Sequence, residues 1–253
     1  LLEVNLANLS NEEMLQKLTE FNTPAVTNVV ATYPGNPLCL GLYNPWVENW
    51  YTDGTVRAMY PNLKSKVGYA VTAVYGVADP NYKKLTLIDV MAAIEASPKP
   101  AVLVIQQKYP PEIAPKAAIA GGMMVTAMKA MGCVGMITNG VSRDVDEIRE
   151  MDFQYILGGV ASGHGDSGVY SINVPVSVAS MDVSPGEIVH MDEHGACKFP
   201  ADKLTEVSDK VAKMQQLEED IMADMANASS AEELREMFAR QKSYATRYDV
   251  KKK

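Results

Sequence analysis

The middle of the chain alternates between short apolar runs and stripes of apolar residues at helical spacing. Residues 101–105 form a continuous apolar run, which is typical of a strand buried on both faces of a sheet. Residues 123–131 carry apolar side chains at helical spacing, as do 145–151, while apolar runs return at 134–138 and 153–157. This order of strand, helix, strand, helix and strand predicts parallel strands joined by right-handed crossovers, and therefore an α/β domain.

The pattern changes on both sides of this region. Residues 10–30 have the spacing of two short amphipathic helices. From Ser171 apolar residues alternate with others, and turn residues follow, which predicts a β meander over 171–195. Beyond it the chain is charged and has helical spacing. We therefore predict an α/β domain over residues 1–200 and a helical C-terminal extension over residues 201–253.

Composition narrows the class of protein. The 253 residues include 23 Lys and Arg against 31 Asp and Glu, and this acidic balance argues against a nucleic-acid partner. No apolar run approaches the ~20 residues of a membrane-spanning helix, so we expect no membrane partner. Cys39, Cys133 and Cys197 are an odd number in unrelated contexts, which favours a reducing compartment. The first residues lack the features of a secretory signal, so we expect a cytoplasmic protein.

The segment 33–59 is rich in proline, glycine, asparagine and aromatic residues. This composition predicts a long irregular loop that packs by its aromatic rings and lies at the surface or in a contact between subunits.

Two loops leave the carboxyl ends of successive predicted strands, where ligands bind in open α/β sheets. The first loop ends in Gly121 and Gly122, where backbone can approach a ligand closely. The amides of Met123 and Met124 would then be free donors at a helix N-terminus, which favours a carboxylate or phosphate ligand. Alternatively, the glycine pair simply separates two elements.

The second loop ends in Arg143 and Asp144. Arginine offers a planar fork that suits a carboxylate, and aspartate offers an oxygen ligand to a hard cation such as Mg²⁺. Two simpler interpretations remain open. Asp144 with Glu147 three residues later also matches a capping box, so Asp144 would be only an N-cap. Arg143 would then be a surface ion pair of little energetic weight.

Three other motifs are interpreted as structural. Residues 163–168 match G-x-G-x-x-G, but the alternating pattern that follows predicts a strand, whereas a dinucleotide site requires a helix. His190 and His194 lie in a predicted turn region and not on a helix, which disfavours a zinc site. Cys133 lies among apolar residues, so we interpret it as a buried small hydrophobe.

An ordered set of segments resembles a known family. Its most specific part is the run AIAGGMMVTAMKAMGCVGMITNGVSRDVDEIR at residues 118–149, supported by matches at 23–28, 68–72, 173–176 and 183–189. These segments are similar to the RraA-like family, which includes the regulator of ribonuclease E activity A and the 4-hydroxy-4-methyl-2-oxoglutarate aldolases.

The resemblance implies a swivelling β/β/α fold and a ring-shaped homotrimer with active sites between neighbouring subunits. It further implies that Arg143 holds the carboxylate of a 2-oxo acid and that Asp144 supports Mg²⁺ (or Mn²⁺), largely through water. The amides of Met123 and Met124 would complete the anion site at Gly121 and Gly122.

The implied function is a divalent-metal-dependent lyase that cleaves a C–C bond in a small 2-oxo acid. The reaction would be retro-aldol cleavage to pyruvate or decarboxylation of the oxaloacetate type, since both leave an enolate. Two alternatives stay open: a non-catalytic trimeric regulator on the same scaffold, or another enolate reaction such as isomerisation or hydration.

The sequence departs from the family pattern at two positions. The family aldolases commonly carry an acidic residue where this chain has Gly122, and another where it has Asn28. The first is thought to manage a proton through water, so its absence bears on turnover more than on binding. Glu112, in the preceding loop, is a candidate substitute.

Overall fold

The computed structural model of the chain describes residues 9–33, 36–81 and 85–248, with side chains described up to residue 240. The helices are α1 (Asn11–Leu18), α2 (Thr23–Val30), α3 (Leu87–Ala96), α4 (Gly122–Ala130), α5 (Val145–Arg149), α6 (Leu204–Ala226) and α7 (Ala231–Tyr248). The strands are β1 (Arg57–Ala58), β2 (Lys66–Val77), β3 (Ala101–Lys108), β4 (Cys133–Ser142), β5 (Gln154–Val160), β6 (Ser167–Ile172), β7 (Val176–Val178), β8 (Met181–Val183), β9 (Ile188–Asp192) and β10 (Gly195–Phe199).

Residues 49–202 form one unit, the sheet unit, built on a sheet with strand order β1-β5-β4-β3-β2-β9-β10. Strands β2, β3, β4 and β5 are mutually parallel, with α3, α4 and α5 on the connections between them. The remaining strands of this sheet pair antiparallel, including β6 on the far half of β2. The predicted α/β domain with parallel crossovers is therefore confirmed.

Alternating residues of the parallel strands fill two cores, one on each face. On one face, Leu103 and Ile105 of β3 pack in a cluster with residues of α3, α4 and α5. On the other face, Val102 and Val104 pack in a cluster with the hairpin of β7 and β8. The layers are thus helices, central sheet and small second sheet, which is the β/β/α arrangement that the resemblance implied.

The predicted meander differs from the structure. The alternating run is interrupted after Ile172, because Asn173 takes a left-handed conformation (φ 52°). Pro175 follows and has no N–H for a ladder. β7 then starts at Val176 in the second sheet, while β9 and β10 form a hairpin on the main sheet. Apolar residues alternate in the same way in either sheet, so the sequence does not reveal that β7 belongs to the second sheet.

The described parts of residues 1–48 and 203–253 form the other unit, the helical unit. Here α6 contacts α1, α2 and α7. Its predicted apolar stripe is confirmed, since the following side chains are buried: Leu204, Val207, Val211, Met214 and Leu217. The division into a domain over residues 1–200 and an extension over residues 201–253 stays a prediction. The N-terminal helices α1 and α2 belong to the same unit as α6 and pack against it.

The aromatic-rich segment lacks helices before β1 in its described part, as predicted. Within the sheet unit, Trp50 is buried, and its carbonyl accepts a hydrogen bond from the Lys198 N–H at 3.0 Å. Within the helical unit, the side chains of Trp46 and Val47 are exposed. Across the residues that the structure describes, no helix combines the length and apolarity needed to cross a membrane.

Candidate active site

The loop before α4 pairs with the end of β4, and this pairing brings the two candidate loops together. The Ile119 N–H donates to the Val141 carbonyl at 2.9 Å, and the Arg143 N–H donates to the Ala120 carbonyl at 3.1 Å. In addition, the Ala120 N–H donates to Oγ of the buried Ser142 at 3.3 Å. The glycine pair at the start of α4 therefore lies directly beside Arg143 and the residue after it, as the sequence predicts.

Asp144 occupies the N-cap position of α5 but does not cap that helix with its side chain. Its carboxylate oxygen Oδ2 instead accepts a hydrogen bond from the Gly122 N–H of α4 at 3.0 Å. The backbone of Asp144 is left-handed, with φ 57° and ψ 37°. This conformation costs a non-glycine residue about 1–2 kcal/mol. The Asp144 side chain therefore binds the start of α4 and leaves the amides of its own helix uncapped.

The backbone angles of Gly121 are extended (φ −150°) and open to any residue, so the constraint at this position comes from the neighbouring side chains. A β-carbon at this position would approach Asp144 Oδ2 to less than the 3.0 Å that real β-carbons respect, and would lie 3.2 Å from Arg143 Nε. A side chain at Gly121 would therefore displace the Asp144 carboxylate.

Arg143 lies on the open side of the site, with its side chain 36% exposed. Its Nε is 3.5 Å from Asp144 Oδ2, a loose ion pair. Within the described ranges, no other side chain or carbonyl accepts a hydrogen bond from this guanidinium. The two terminal nitrogens can therefore bind a carboxylate in the bidentate manner that arginine favours.

Met123 and Met124 follow Gly122 in the first turn of α4. The N-cap of α4 is Gly121, which has no side chain to accept from their amides, and no described residue does so instead. These amides are thus open donors at a helix N-terminus. The side chains differ, because Met123 is 91% exposed whereas Met124 packs partly against the core under the helices. The predicted backbone role of both residues is geometrically available.

Two residues near this site were missed by the sequence reasoning. Glu147 extends its carboxylate to Gly122, where a β-carbon would come within 3.0 Å of Oε2. Tyr155 of β5 lies buried in the core near Asp144, and burial raises its pKa, with a further contribution from the Asp144 charge. Tyr155 therefore stays neutral at physiological pH. The three-residue spacing of Asp144 and Glu147 was a usable signal, but it was interpreted only as a capping box.

The remaining sequence candidates lie in other places. Glu112 is exposed on the turn after β3 and makes no hydrogen bond or ion pair with a described residue. His190 is buried in β9, whereas His194 is half exposed with Nδ1 3.3 Å from Asp192 Oδ1. The segment 163–168 leads into the strand β6 and not into a helix, as predicted.

Cys133 is a core residue, also as predicted. It is 3% exposed, and burial raises the pKa of its thiol to about 11. At neutral pH its thiolate is scarce, so it is a poor nucleophile.

Comparison with known proteins defines the class to which this fold and site belong. Residues 47–197 match the RraA-like family, described as Aldolase/RraA. This match covers more than half of the chain, so the chain belongs to the RraA-like family. The resemblance drawn from the sequence is thereby confirmed, as is the β/β/α fold with a helical C-terminal extension.

Three relatives illustrate the family. Protein DlpA of Legionella pneumophila is 27% identical over 147 residues, which are 57% of this chain and 23% of that protein. A putative 4-hydroxy-4-methyl-2-oxoglutarate aldolase of Halalkalibacterium halodurans is 29% identical over 99 residues, 39% of this chain and 47% of that protein. This chain thus matches less than half the length of either relative.

The third relative is a crystal structure of Streptomyces coelicolor RraAS2, described as an unusual member of the RNase ES inhibitor RraA protein family. It superposes with a TM-score of 0.62 and 21% sequence identity, covering 82% of this chain and 95% of that one. At this identity the likeness concerns the fold alone.

Proposed function

We propose that this protein is a divalent-metal-dependent lyase that cleaves a C–C bond in a small 2-oxo acid. The observation that carries the proposal is the arrangement of Arg143 and Asp144 at the open N-terminus of α4. A strained Asp144 backbone and a glycine without side chain both serve to keep one carboxylate in place there. Membership of a family that includes aldolases supports the same reaction class.

The substrate's carboxylate would bind between Arg143 and the first turn of α4. The guanidinium supplies two parallel donors, and the amides of Met123 and Met124 supply further donors with the positive end of the helix dipole. The guanidinium is cationic and the two amides are hydrogen-bond donors, so together they suit an anion. Orientation of the substrate by its carboxylate would hold the 2-oxo group toward Asp144.

Asp144 is the residue that would hold the metal. Its Oδ2 accepts the hydrogen bond from the Gly122 N–H, whereas its Oδ1 accepts no hydrogen bond from a described residue. The side chain is 28% exposed. The described residues contain no group of three or more His, Cys, Asp or Glu side chains that would enclose an ion. One carboxylate with water and substrate oxygens matches the way Mg²⁺ is commonly bound beside a substrate, and Mn²⁺ would fit too. When bound, the cation would stabilise negative charge that develops on the substrate oxygens.

The proposal also includes a cellular compartment and an oligomeric state. We propose a cytoplasmic homotrimer with sites between neighbouring subunits, as the family resemblance implies. All three cysteines are free thiols, which suits a reducing compartment. Trp46 is 91% exposed and Val47 79% exposed, and such adjacent apolar side chains are typical of subunit contacts.

A second candidate function is favoured by one feature, the absence of a side chain at Gly122. If no other group manages the proton of the enolate, the scaffold would bind a 2-oxo acid without efficient turnover. The protein would then be a regulator, or would carry out a different enolate reaction such as isomerisation or hydration.

The test is pyruvate release from a panel of 2-oxo acids that includes oxaloacetate and 4-hydroxy-4-methyl-2-oxoglutarate. Each substrate is assayed with Mg²⁺, with Mn²⁺ and with excess chelator, and a protein-free control measures the decarboxylation that metal ions cause alone. We expect metal-dependent pyruvate release that Arg143→Ala abolishes. Release that persists in chelator, or that is equal in Arg143→Ala, would refute the proposal.

A further inference from the structure

Glu147 lies in the space that a side chain at Gly122 would fill. Glu147 is the third residue of α5 and is exposed. Its Oε2 nevertheless lies so close to Gly122 that a β-carbon there would overlap it, and the next nearest atoms, Cδ and Cβ of Glu147, would lie at 3.5 and 3.8 Å. The three atoms nearest to that β-carbon position all belong to Glu147. The carboxylate thus lies over the first residue of α4.

Two carboxylates therefore reach consecutive glycines from the same short segment. Asp144 Oδ2 occupies the side-chain space of Gly121, and Glu147 Oε2 occupies that of Gly122. Both residues belong to the start of α5, Asp144 as its N-cap residue and Glu147 in its first turn. An acidic side chain at position 122 would require the Glu147 carboxylate to move, because it would overlap the present position of that carboxylate.

The two carboxylates differ in how firmly they are bound. Asp144 Oδ2 accepts the Gly122 N–H at 3.0 Å and lies 3.5 Å from Arg143 Nε. Glu147 forms no hydrogen bond or ion pair with any residue that the structure describes. The contacts of Asp144 hold its carboxylate in place, whereas the Glu147 carboxylate has no described partner and is available to a bound substrate as a general base.

From this geometry we infer that Glu147 is the acid–base residue of the site. The inference rests on the proposed lyase function and supplies the group that Gly122 lacks. In retro-aldol cleavage, the Glu147 carboxylate would accept the proton of the substrate hydroxyl as the C–C bond breaks. The bond's electron pair would remain on the pyruvate fragment as its enolate. Glu147 would then return the proton to the methylene carbon, which gives pyruvate and the original carboxylate.

The decisive variant is Glu147→Gln, which keeps the size of the side chain and removes its basicity. Asp146→Asn is the matched control, because it makes the same change of charge one residue earlier on the same helix at an exposed position. The readout is deuterium exchange of the methyl protons of pyruvate with Mg²⁺, which follows the enolate without cleavage. We expect Glu147→Gln to lower exchange by about 10²- to 10⁴-fold and Asp146→Asn to leave it within twofold of wild type.

Binding is measured separately as the thermal stabilisation that oxalate, a non-reacting analogue of the enolate, gives with Mg²⁺. We expect both variants to retain it. Exchange that is equal in Glu147→Gln and Asp146→Asn would overturn the inference while leaving the lyase proposal intact. Absence of exchange in the wild-type protein would overturn both.

A rescue experiment tests the position of the carboxylate. In a Glu147→Ala background the space at Gly122 is empty, so Gly122→Asp can restore a carboxylate from α4 in place of the one from α5. The inference is supported if the double variant Glu147→Ala, Gly122→Asp exchanges pyruvate protons at least tenfold faster than Glu147→Ala alone. Gly122→Asn in the same background is the uncharged control. Equal exchange in all three folded proteins would overturn it.

Discussion

Replacement of Gly121 by alanine tests the geometry of the candidate site most directly. A β-carbon at this position would overlap Asp144 Oδ2 and would crowd Arg143 Nε at 3.2 Å. The Asp144 side chain is the flexible partner and must move away, which breaks its 3.0 Å hydrogen bond with the Gly122 N–H. The backbone of Gly121 is extended, so alanine introduces no strain of its own.

The expected cost follows from that single lost contact. A hydrogen bond to a charged group contributes about 1.5–3 kcal/mol, and the lower half of that range applies because Asp144 is partly exposed. Alanine also reduces the freedom of the unfolded chain, which offsets about 0.4–1 kcal/mol. We therefore expect the free energy of unfolding to fall by about 1 kcal/mol. Activity should fall further, since a displacement of about 1 Å at a catalytic group costs on the order of 10²-fold.

Gly165→Ala is the matched control, because a β-carbon there would meet nothing within 4 Å. Denaturant unfolding gives the change in stability, and exchange of pyruvate methyl protons gives the change in activity. Gly165→Ala should match the wild type in both measurements. If Gly121→Ala also matches it, the glycine is only a separator and the proposed fit around Asp144 is wrong.

Three further predictions concern strain, thiols and assembly. Asp144→Ala and Asp144→Gly should both abolish metal-dependent lyase activity. The glycine variant should be more stable than the alanine variant by about 1 kcal/mol, because glycine adopts the left-handed backbone without strain. Equal unfolding midpoints of the two variants would contradict this strain. Burial raises the pKa of the buried Cys133 and Cys197 and of the partly buried Cys39, so few thiolates form at pH 8. A disulfide reagent should modify at least two thiols slowly in the native protein and all three at once in denaturant; rapid native modification of more than one thiol would contradict the burial. Sedimentation velocity at micromolar concentration should show a trimer, and a monomer would contradict the shared-site proposal.

The parallel sheet was predictable because its strands are buried on both faces. Such strands must be apolar at every position, so residues 101–105 stand out without any knowledge of their neighbours. The start of α4 at Gly122 was also close to the prediction, since the apolar stripe after the glycines has helical spacing. These features depend on local sequence.

The unpredicted features depend on contacts between distant segments. The packing of α6 against α1 and α2 joins the two ends of the chain, and no local pattern encodes that choice of partner. The switch of β7 into a second sheet leaves the alternation of apolar residues unchanged. Likewise, the spacing of Asp144 and Glu147 is the same whether they cap their own helix or reach toward α4.

A missing side chain at one position is incomplete evidence for a missing function when a neighbouring side chain occupies the same space. From the sequence alone, Gly122 in a family with acidic residues at that position indicates a loss. In the structure, the same glycine opens space that a neighbouring carboxylate occupies, and its N–H holds the second carboxylate. An acidic residue at 122 would require the Glu147 carboxylate to move from its present position. The charge beside the anion site depends on the combination of positions 122 and 147, so either position alone is an incomplete guide to activity.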